Sequence, residues 1–181
     1  MLGRPVTHEL TEAGFSVRII ARDVNRTRLL FPKNDVVPGD LRNRDSLLAA
    51  LNGMDVVYLN LSVKQTEKPT DFHTEAEGLV NLLEAAKHAG VRRIAYLSSI
   101  IMRYQGMNSF QWWVFGIKQE ATNPIKSSGI PYSIFYPSCF MDSLPGRQQL
   151  GRFILLVGWS DVRPWYISAR DYGKQVARAL G

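Results

Sequence analysis

Arg22, Arg26, Arg28 and Lys33 form the densest cluster of charge in the sequence. Acids and apolar residues interrupt the run, so it does not make the continuous basic face that a nucleic acid requires. A few arginines so placed suit the phosphates of a small anionic cofactor instead. The three histidines read differently from one another. His8 and His88 fall on helical stretches and face solvent, whereas His73 follows an apolar strand and is placed to line a cleft. No set of His, Cys, Asp and Glu has the spacing of metal ligands, so no metal site is expected. Cys139 is the one cysteine, which rules out an internal disulfide and fits a reducing, cytoplasmic setting.

The elements that must position these groups are legible in a pattern that recurs four times: an amphipathic helical stretch, a glycine, then an apolar strand. The copies are HELTEAG–FSVRIIAR, LLAALNG–MDVVYLNLS, NLLEAAKHAG–VRRIAYLSS and PIKSSG–IPYSIFYPS. Gly14, Gly53, Gly90 and Gly129 stand where a helix end needs a left-handed residue. The runs that follow are too continuous for strands with one wet face and read as strands buried on both sides. A shorter helix near Asn25–Leu30 and a strand at Asp35–Val37 lie between the first two copies. Asp45 is expected to cap the helix that contains SLLAAL. Thr70 or Asp71 is expected to open a long helix with Ala76, Leu79, Val80, Leu83 and Ala86 on one face. Pro5 suits the first turn of the opening helix.

Helices alternating with buried strands predict an α/β, doubly wound parallel sheet in a single domain over residues 1–181. The chain has 181 residues, 45% of them apolar and 21% charged, enough for one such core. In an open sheet of this kind ligands bind at the carboxyl ends of the strands. Function is therefore expected near Arg22, Asp40, Asn60–Ser62, Ser98–Ser99 and Pro137–Phe140. The net charge of +6 is scattered, so no nucleic-acid partner is expected. No apolar run reaches the roughly 18–20 residues of a membrane span, and the longest, Phe153 to Val157, is strand-sized.

The sequence opens on a helix, although every later unit runs strand, loop, helix. Met1-Leu2-Gly3 reads as the tail of a glycine-rich turn, with Gly3 at the mouth of the first helix. The expectation is a truncated or internally started chain that lacks its first strand and most of that turn. Strands beside the missing one would carry unpaired backbone groups, each costing on the order of 1–3 kcal/mol if buried.

The blocks VRIIARD, GDLRNRDSLLAAL, DVVYLNLS, EAEGLVNLLEAAKHAGVRRIAYLSS, KQEA, SGIPYSIFYPSCFMDS and ISARDYGKQVARAL resemble, in order, those of the NmrA-like branch of atypical short-chain dehydrogenases. MLGRPV resembles the end of that family's TGATG-x-x-G-x-x-V fingerprint. The resemblance implies a Rossmann-type NAD(P)-binding domain, and a further substrate domain that this chain mostly lacks. It implies that Gly3 is the third fingerprint glycine. Arg22 would meet the adenosine ribose, where arginine favours a 2′-phosphate and hence NADP, while Asp23 keeps NAD open. Asp40 and Leu41 would flank the adenine. Asn60, Leu61 and Ser62 would lie along the cofactor with Ser98, and Pro137, Ser138 and Phe140 beside the nicotinamide.

Short-chain dehydrogenases that move hydride pair a tyrosine with a lysine four residues later. The resemblance puts Lys118 at the lysine position, where it would also bind the cofactor, but Val114 stands at the tyrosine position and cannot transfer a proton. Two repairs are open: Lys118 as acid/base, as in isoflavone-reductase-like relatives, or Tyr104 reaching in from a loop. Ser99 falls near the carbonyl-polarising serine. Trp112, Trp113 and Phe115 either wall a flat substrate pocket or fill core or an oligomer face. The leading expectation is an NADP(H)-using oxidoreductase of small carbonyl or quinone-like compounds. Its rival is a non-catalytic NAD(P)-sensing regulator or scaffold. A sugar-nucleotide epimerase would need the absent tyrosine. A homo-oligomer is left open.

Overall fold

The computed structural model describes residues 2–64, 66–144, 149–150, 152–154, 161 and 165–181. Residues 155–157 of the expected Phe153 to Val157 run lie outside them. The chain forms two compact units, one of residues 16–136 and one of residues 1–15 with 137–181.

The first unit holds five strands: β1 (Arg18–Ala21), β2 (Asp35–Pro38), β3 (Val56–Leu59), β4 (Arg93–Leu97) and β5 (Tyr132–Phe135). Its helices are α2 (Val24–Leu30), α3 (Arg44–Leu51), α4 (Glu77–His88), α5 (Trp113–Glu120) and α6 (Thr122–Ser127). The unit is α/β, and every strand pair in it is parallel. β1 pairs with β2, Ala21 opposite Pro38, and β3, β4 and β5 follow in order, with Leu59 opposite Tyr96 and Leu97 opposite Phe135. The two sheets are separate, so β1 and β3 each have one edge without a strand partner among the described residues.

Gly14, Gly53, Gly90 and Gly129 adopt φ between 74° and 89°, the left-handed stop that hands each helix over to its strand. Burial is less complete than the apolar runs suggested. Only β4, flanked on both sides, is almost wholly buried, with Ile94, Ala95 and Tyr96 at 0% exposure. β1 is half-buried along its length and β5 starts exposed, because a strand with one open edge keeps part of its surface in water. Leu47 and Leu51 of α3, Leu79 and Leu83 of α4 and Ile125 of α6 cover this sheet in one core, and Ile20 of β1 packs against it. Each such side chain contributes about 1.5–3 kcal/mol on burial.

Two helix starts differ from expectation. Asn43, not Asp45, caps α3 by accepting the Ser46 N–H at 3.0 Å, and Asp45 sits in the first turn. The long helix opens at Glu77 rather than after Thr70 or Asp71, and Asp71 instead closes a turn by accepting the Lys68 N–H at 2.8 Å. At α3 the cap falls two residues earlier than expected, and at Asp71 the side chain takes a turn N–H instead of a helix one, which residue type alone does not reveal. Val80, expected on the buried face of α4, is 44% exposed, and Leu82 is buried in its place.

The second unit is built on α1 (Gly3–Glu12) and α7 (Ala169–Leu180). Val6, Leu10, Tyr172 and Val176 are buried there. A Cβ on Gly173 would stand 3.2 Å from the Val6 Cα, so glycine sets how closely these helices approach. Glu9 pairs with Arg170 at 3.1 Å. Ser168 caps α7 through the Asp171 N–H. Short strands β6 (Cys139–Phe140) and β9 (Tyr166–Ile167) pair in parallel, while β7 (Gln149–Leu150) and β8 (Phe153–Ile154) form a small antiparallel pair. Among the described residues no helix is long and apolar enough to cross a membrane.

Candidate active site

Lys118 lies in the last turn of α5, with its side chain 12% exposed. Its ammonium is ion-paired with Oε1 of Glu75, donates to the Leu61 carbonyl at 3.4 Å and lies 5.5 Å from the centre of the Tyr96 ring. Tyr96 donates its hydroxyl to the same Glu75 oxygen at 2.8 Å. The Glu75 side chain is wholly buried, and its Oε2 has no hydrogen-bond partner among the described residues. Burial pushes the Glu75 carboxyl above its ordinary range, against the opposing pull of Lys118, Tyr96 and the Val63 backbone. Burial and the neighbouring carboxylate hold the Tyr96 phenol far above its usual value, so it remains a neutral donor. A buried pair like this is retained only where its partners are fixed, since removing one charge strands the other.

The backbone explains how these groups meet. Tyr96 comes from the fully buried strand β4, Leu61 from the chain just beyond β3, and Glu75 from the approach to α4. At the other sheet, Ala21 at the end of β1 accepts the Gly39 N–H at 3.1 Å. A Cβ on Gly39 would collide with the Ile20 side chain, so only glycine lets the end of β2 come this close. Asp40 and Leu41 follow. Leu41 rests on Gly78 in the first turn of α4, and its carbonyl accepts from the Asn81 side chain at 2.8 Å. The ends of β2, β3 and β4 thus gather around the start of α4.

Several expected site residues stand in this neighbourhood with groups to spare. Arg22 is exposed, and its guanidinium has no partner among the described residues. The side chains of Asn60 and Ser62 are likewise exposed and unengaged, although the Ser62 carbonyl accepts the Thr74 hydroxyl. Free cationic and hydroxyl or amide groups beyond strand ends fit a phosphate- and ribose-bearing dinucleotide. Asp23 has its carboxylate engaged in capping α2 through the Arg26 N–H at 2.9 Å. Asp40 accepts the Arg42 N–H at 2.9 Å while its own N–H donates to Ser46.

Other expected residues are committed elsewhere. Ser98 is buried and donates its hydroxyl to the Met102 sulfur at 3.1 Å. Ser99 accepts the Ile101 N–H at 3.3 Å as it caps the 3-10 turn Ile100–Tyr104. Tyr104, at the end of that turn, is 53% exposed. Val114 lies one turn before Lys118 and is half-buried. Gly3, Pro137, Ser138 and Phe140 belong to the other unit. Gly3 opens α1, and the Phe140 ring meets Tyr172 edge-on at 5.4 Å. The aromatic cluster divides: Trp113 packs on His73 at 5.3 Å, while Trp112 and Phe115 meet at 4.7 Å with Trp112 partly exposed.

Glu75 and Tyr96 were not among the residues expected from sequence. Tyr96 left a signal, since a tyrosine within a doubly buried strand must find a partner for its hydroxyl. Glu75 left none, because an acid just before an apolar helix reads as an ordinary first-turn residue.

His73 is buried rather than lining an open cleft. One ring nitrogen faces the Glu67 carboxylate at 3.1 Å and the other the Pro69 carbonyl at 3.3 Å. Burial opposes charge on the ring, but these two acceptors and the nearby Glu77 outweigh it and raise its pKa above 6.5. The folded value lies above the unfolded one, so the stabilisation is complete below about pH 6.5 and is lost as pH rises through the folded value. Thermal melts of His73→Gln should therefore fall below wild type by more at pH 5.5 than at pH 8.5. An equal deficit at both would leave only packing.

A groove of about 690 Å³ is lined by Arg42, Asn43, Arg44, Asp45, Leu48, Asn81, Ala85 and His88. It shares no lining residue with the Lys118 cluster. Size alone argues for it; the buried charges and the free groups beyond the strands argue for the Lys118 end, and they carry more chemical content.

Residues 1–162 match a family described as NAD(P)H-binding. The chain is 30% identical over 183 residues to the (4-alkanoyl-5-oxo-2,5-dihydrofuran-3-yl)methyl phosphate reductase of Streptomyces griseus subsp. griseus, covering 99% of this chain and 59% of that protein. It is 25% identical over 147 residues to the photosystem II assembly factor Ycf39 of Cyanophora paradoxa, covering 81% of this chain and 44% of that one. The chain thus spans about half to three fifths of the length of these relatives. The fold is similar to that of the Citrobacter sp. triphenylmethane reductase complexed with NADP(H), with a TM-score of 0.64 at 21% identity over 78% of this chain and 47% of that one.

Proposed function

Because this chain belongs to the NAD(P)H-binding family, we propose that it is part of a reductase that uses NADP in preference to NAD and acts on a small carbonyl or quinone-like acceptor. The observation that carries this reading is the Lys118–Glu75–Tyr96 cluster beyond β3 and β4. The reductase among the relatives supports the reaction type.

The reduced nicotinamide, when bound, supplies a hydride. The chain's own residues have the remaining roles. Arg22 faces the 2′-phosphate, and Asp23, already engaged as a helix cap, is a poorer match for the free ribose of NAD. Asp40 and Leu41 bound the adenine. Asn60, Leu61 and Ser62 lie along the cofactor, with Ser98 contributing its backbone. Lys118 presents an N–H to the acceptor oxygen as negative charge builds there, and Ser99 adds a second donor. Tyr104 is the alternative proton donor.

A second reading, a non-catalytic NAD(P) sensor or scaffold, is favoured by Val114 in the place where a tyrosine would do chemistry, and by the similarity to an assembly factor. Titration with NADPH followed by oxidation assays against quinones and aldehydes separates the two. Turnover that falls about 10²–10³-fold in Lys118→Ala supports the reductase. Binding of NADPH with no turnover of any acceptor supports the sensor. Arg22→Ala should weaken NADPH binding about tenfold or more while leaving NADH within about twofold, and equal losses for both would remove the preference for NADP.

A further inference from the structure

The Glu75 side chain is wholly buried and holds two donors, Lys118 and Tyr96, on one oxygen, leaving its other oxygen without a partner among the described residues. Such an arrangement is expensive for a structural pair. A carboxylate kept only for stability would use both oxygens or sit nearer water. Here Glu75 is placed behind Lys118, with the Leu61 carbonyl as the lysine's other acceptor. Each of these acceptors takes an N–H of the lysine, and the Tyr96 ring centre lies 5.5 Å from its nitrogen.

We propose that Glu75 is the positioning residue of this site, fixing Lys118 as a charged donor toward the ligand oxygen rather than leaving it a neutral amine that takes protons. The inference rests on the reading of Lys118 as the ligand-facing group, and it names what that lysine does. In the reduction, the acceptor carbon gains the hydride, the former π pair moves to oxygen, and that oxygen takes a proton from Lys118 Nζ. The neutral lysine then recovers a proton from water. Tyr96 fixes the rotamer of the carboxylate and does not itself exchange a proton.

The groups that face Lys118 from neighbouring elements are few. Glu75 and Tyr96 are in contact. His73, with Glu67 and Glu77, forms a separate hydrogen-bonded set on the segment before α4. Arg103 and Tyr104 of the 3-10 turn, Glu120 of α5 and Lys126 of α6 are exposed. Among the described residues Glu75 is therefore the one counter-charge whose removal should move the lysine.

The test measures the lysine directly, without cofactor or activity. Carbamylation by cyanate reports the neutral amine, and its rate at Lys118 is followed against pH by peptide mass spectrometry, with exposed Lys126 as internal reference. In Glu75→Gln, of nearly the same shape, the midpoint of the Lys118 profile should fall by more than about one pH unit, with Lys126 unmoved. In Tyr96→Phe, which keeps the carboxylate, the midpoint should stay or rise. This second variant also covers the case in which Glu75→Gln does not fold. A midpoint that is unchanged in Glu75→Gln, or that falls in Tyr96→Phe, overturns the proposal. Where wild type turns over an acceptor, Glu75→Gln should lower kcat with KM within about twofold, and its pH profile should shift in the same direction as the cyanate profile. A wild type without turnover defeats the reductase reading while the cyanate profile still decides the role of Glu75.

Discussion

Lys118→Met should destabilise the chain by about 3–5 kcal/mol at pH 8 and by far less at pH 5. The side chain is 12% exposed and its partner Glu75 wholly buried, so solvent offers the stranded carboxylate little relief. Burial already pushes the Glu75 carboxyl up in the intact protein, and loss of the ammonium removes the strongest opposing pull. The folded value then lies further above the unfolded one. A group raised in this way is harmless while both states are protonated. Its cost grows by about 1.4 kcal/mol per pH unit as pH climbs from the ordinary carboxyl range toward the folded value. Urea unfolding at the two pH values measures it. Equal losses at both would mean that Glu75 is not the group left behind, and that the ion pair contributes only packing. The double variant Glu75→Gln with Lys118→Met should recover most of the loss at pH 8, since no charge is then buried.

The second large effect is expected away from the charges. Leu79→Ala should cost about 2–5 kcal/mol, because Leu79 is 0% exposed on the face of α4 that closes the core with α3 and β4. The neighbouring Val80 is 44% exposed, and Val80→Ala should stay within about 0.5 kcal/mol. Denaturant midpoints at unchanged slope would record both. A comparable loss at Val80 would show that this face is covered in solution. Leu79 bears on function as well, since the start of α4 seats Leu41 through Gly78 and follows directly on the segment that carries Glu75. Any shift of that helix reaches both ends of the proposed cofactor path.

These two positions show what kind of information each level held. Leu79 was legible: its helical spacing from Ala76, Leu83 and Ala86 put it on a buried face before any coordinates were known. The four glycine stops, the strands after them and their parallel pairing were legible for the same reason, because hydrophobic period and left-handed glycine are local properties of the chain. The position of Arg22 was legible too, as an exposed cation just past β1. Val80 was misread because a helix of this length turns its apolar stripe gradually, and only the packed partners decide where the stripe ends. Asp45 was misread as a cap because Asn43, two residues earlier, takes the Ser46 N–H, and Asp71 because its carboxylate accepts the Lys68 N–H in a turn.

The order of elements, the fold class and the residues just beyond the strands follow from local chemistry along the chain, and a reader of the sequence alone can recover them. The pairing of Lys118 with Glu75 and Tyr96 cannot be recovered in that way. Glu75 and Tyr96 lie 43 and 22 positions from the lysine along the chain, and the three stand on an approach loop, a buried strand and a helix that share no repeat. Only the tertiary fold brings the Lys118 ammonium of α5 to the Leu61 carbonyl, the Tyr96 ring and the wholly buried Glu75 carboxylate, which takes the lysine as its counter-ion. That burial, a property of the assembled core, decides the charge of the site.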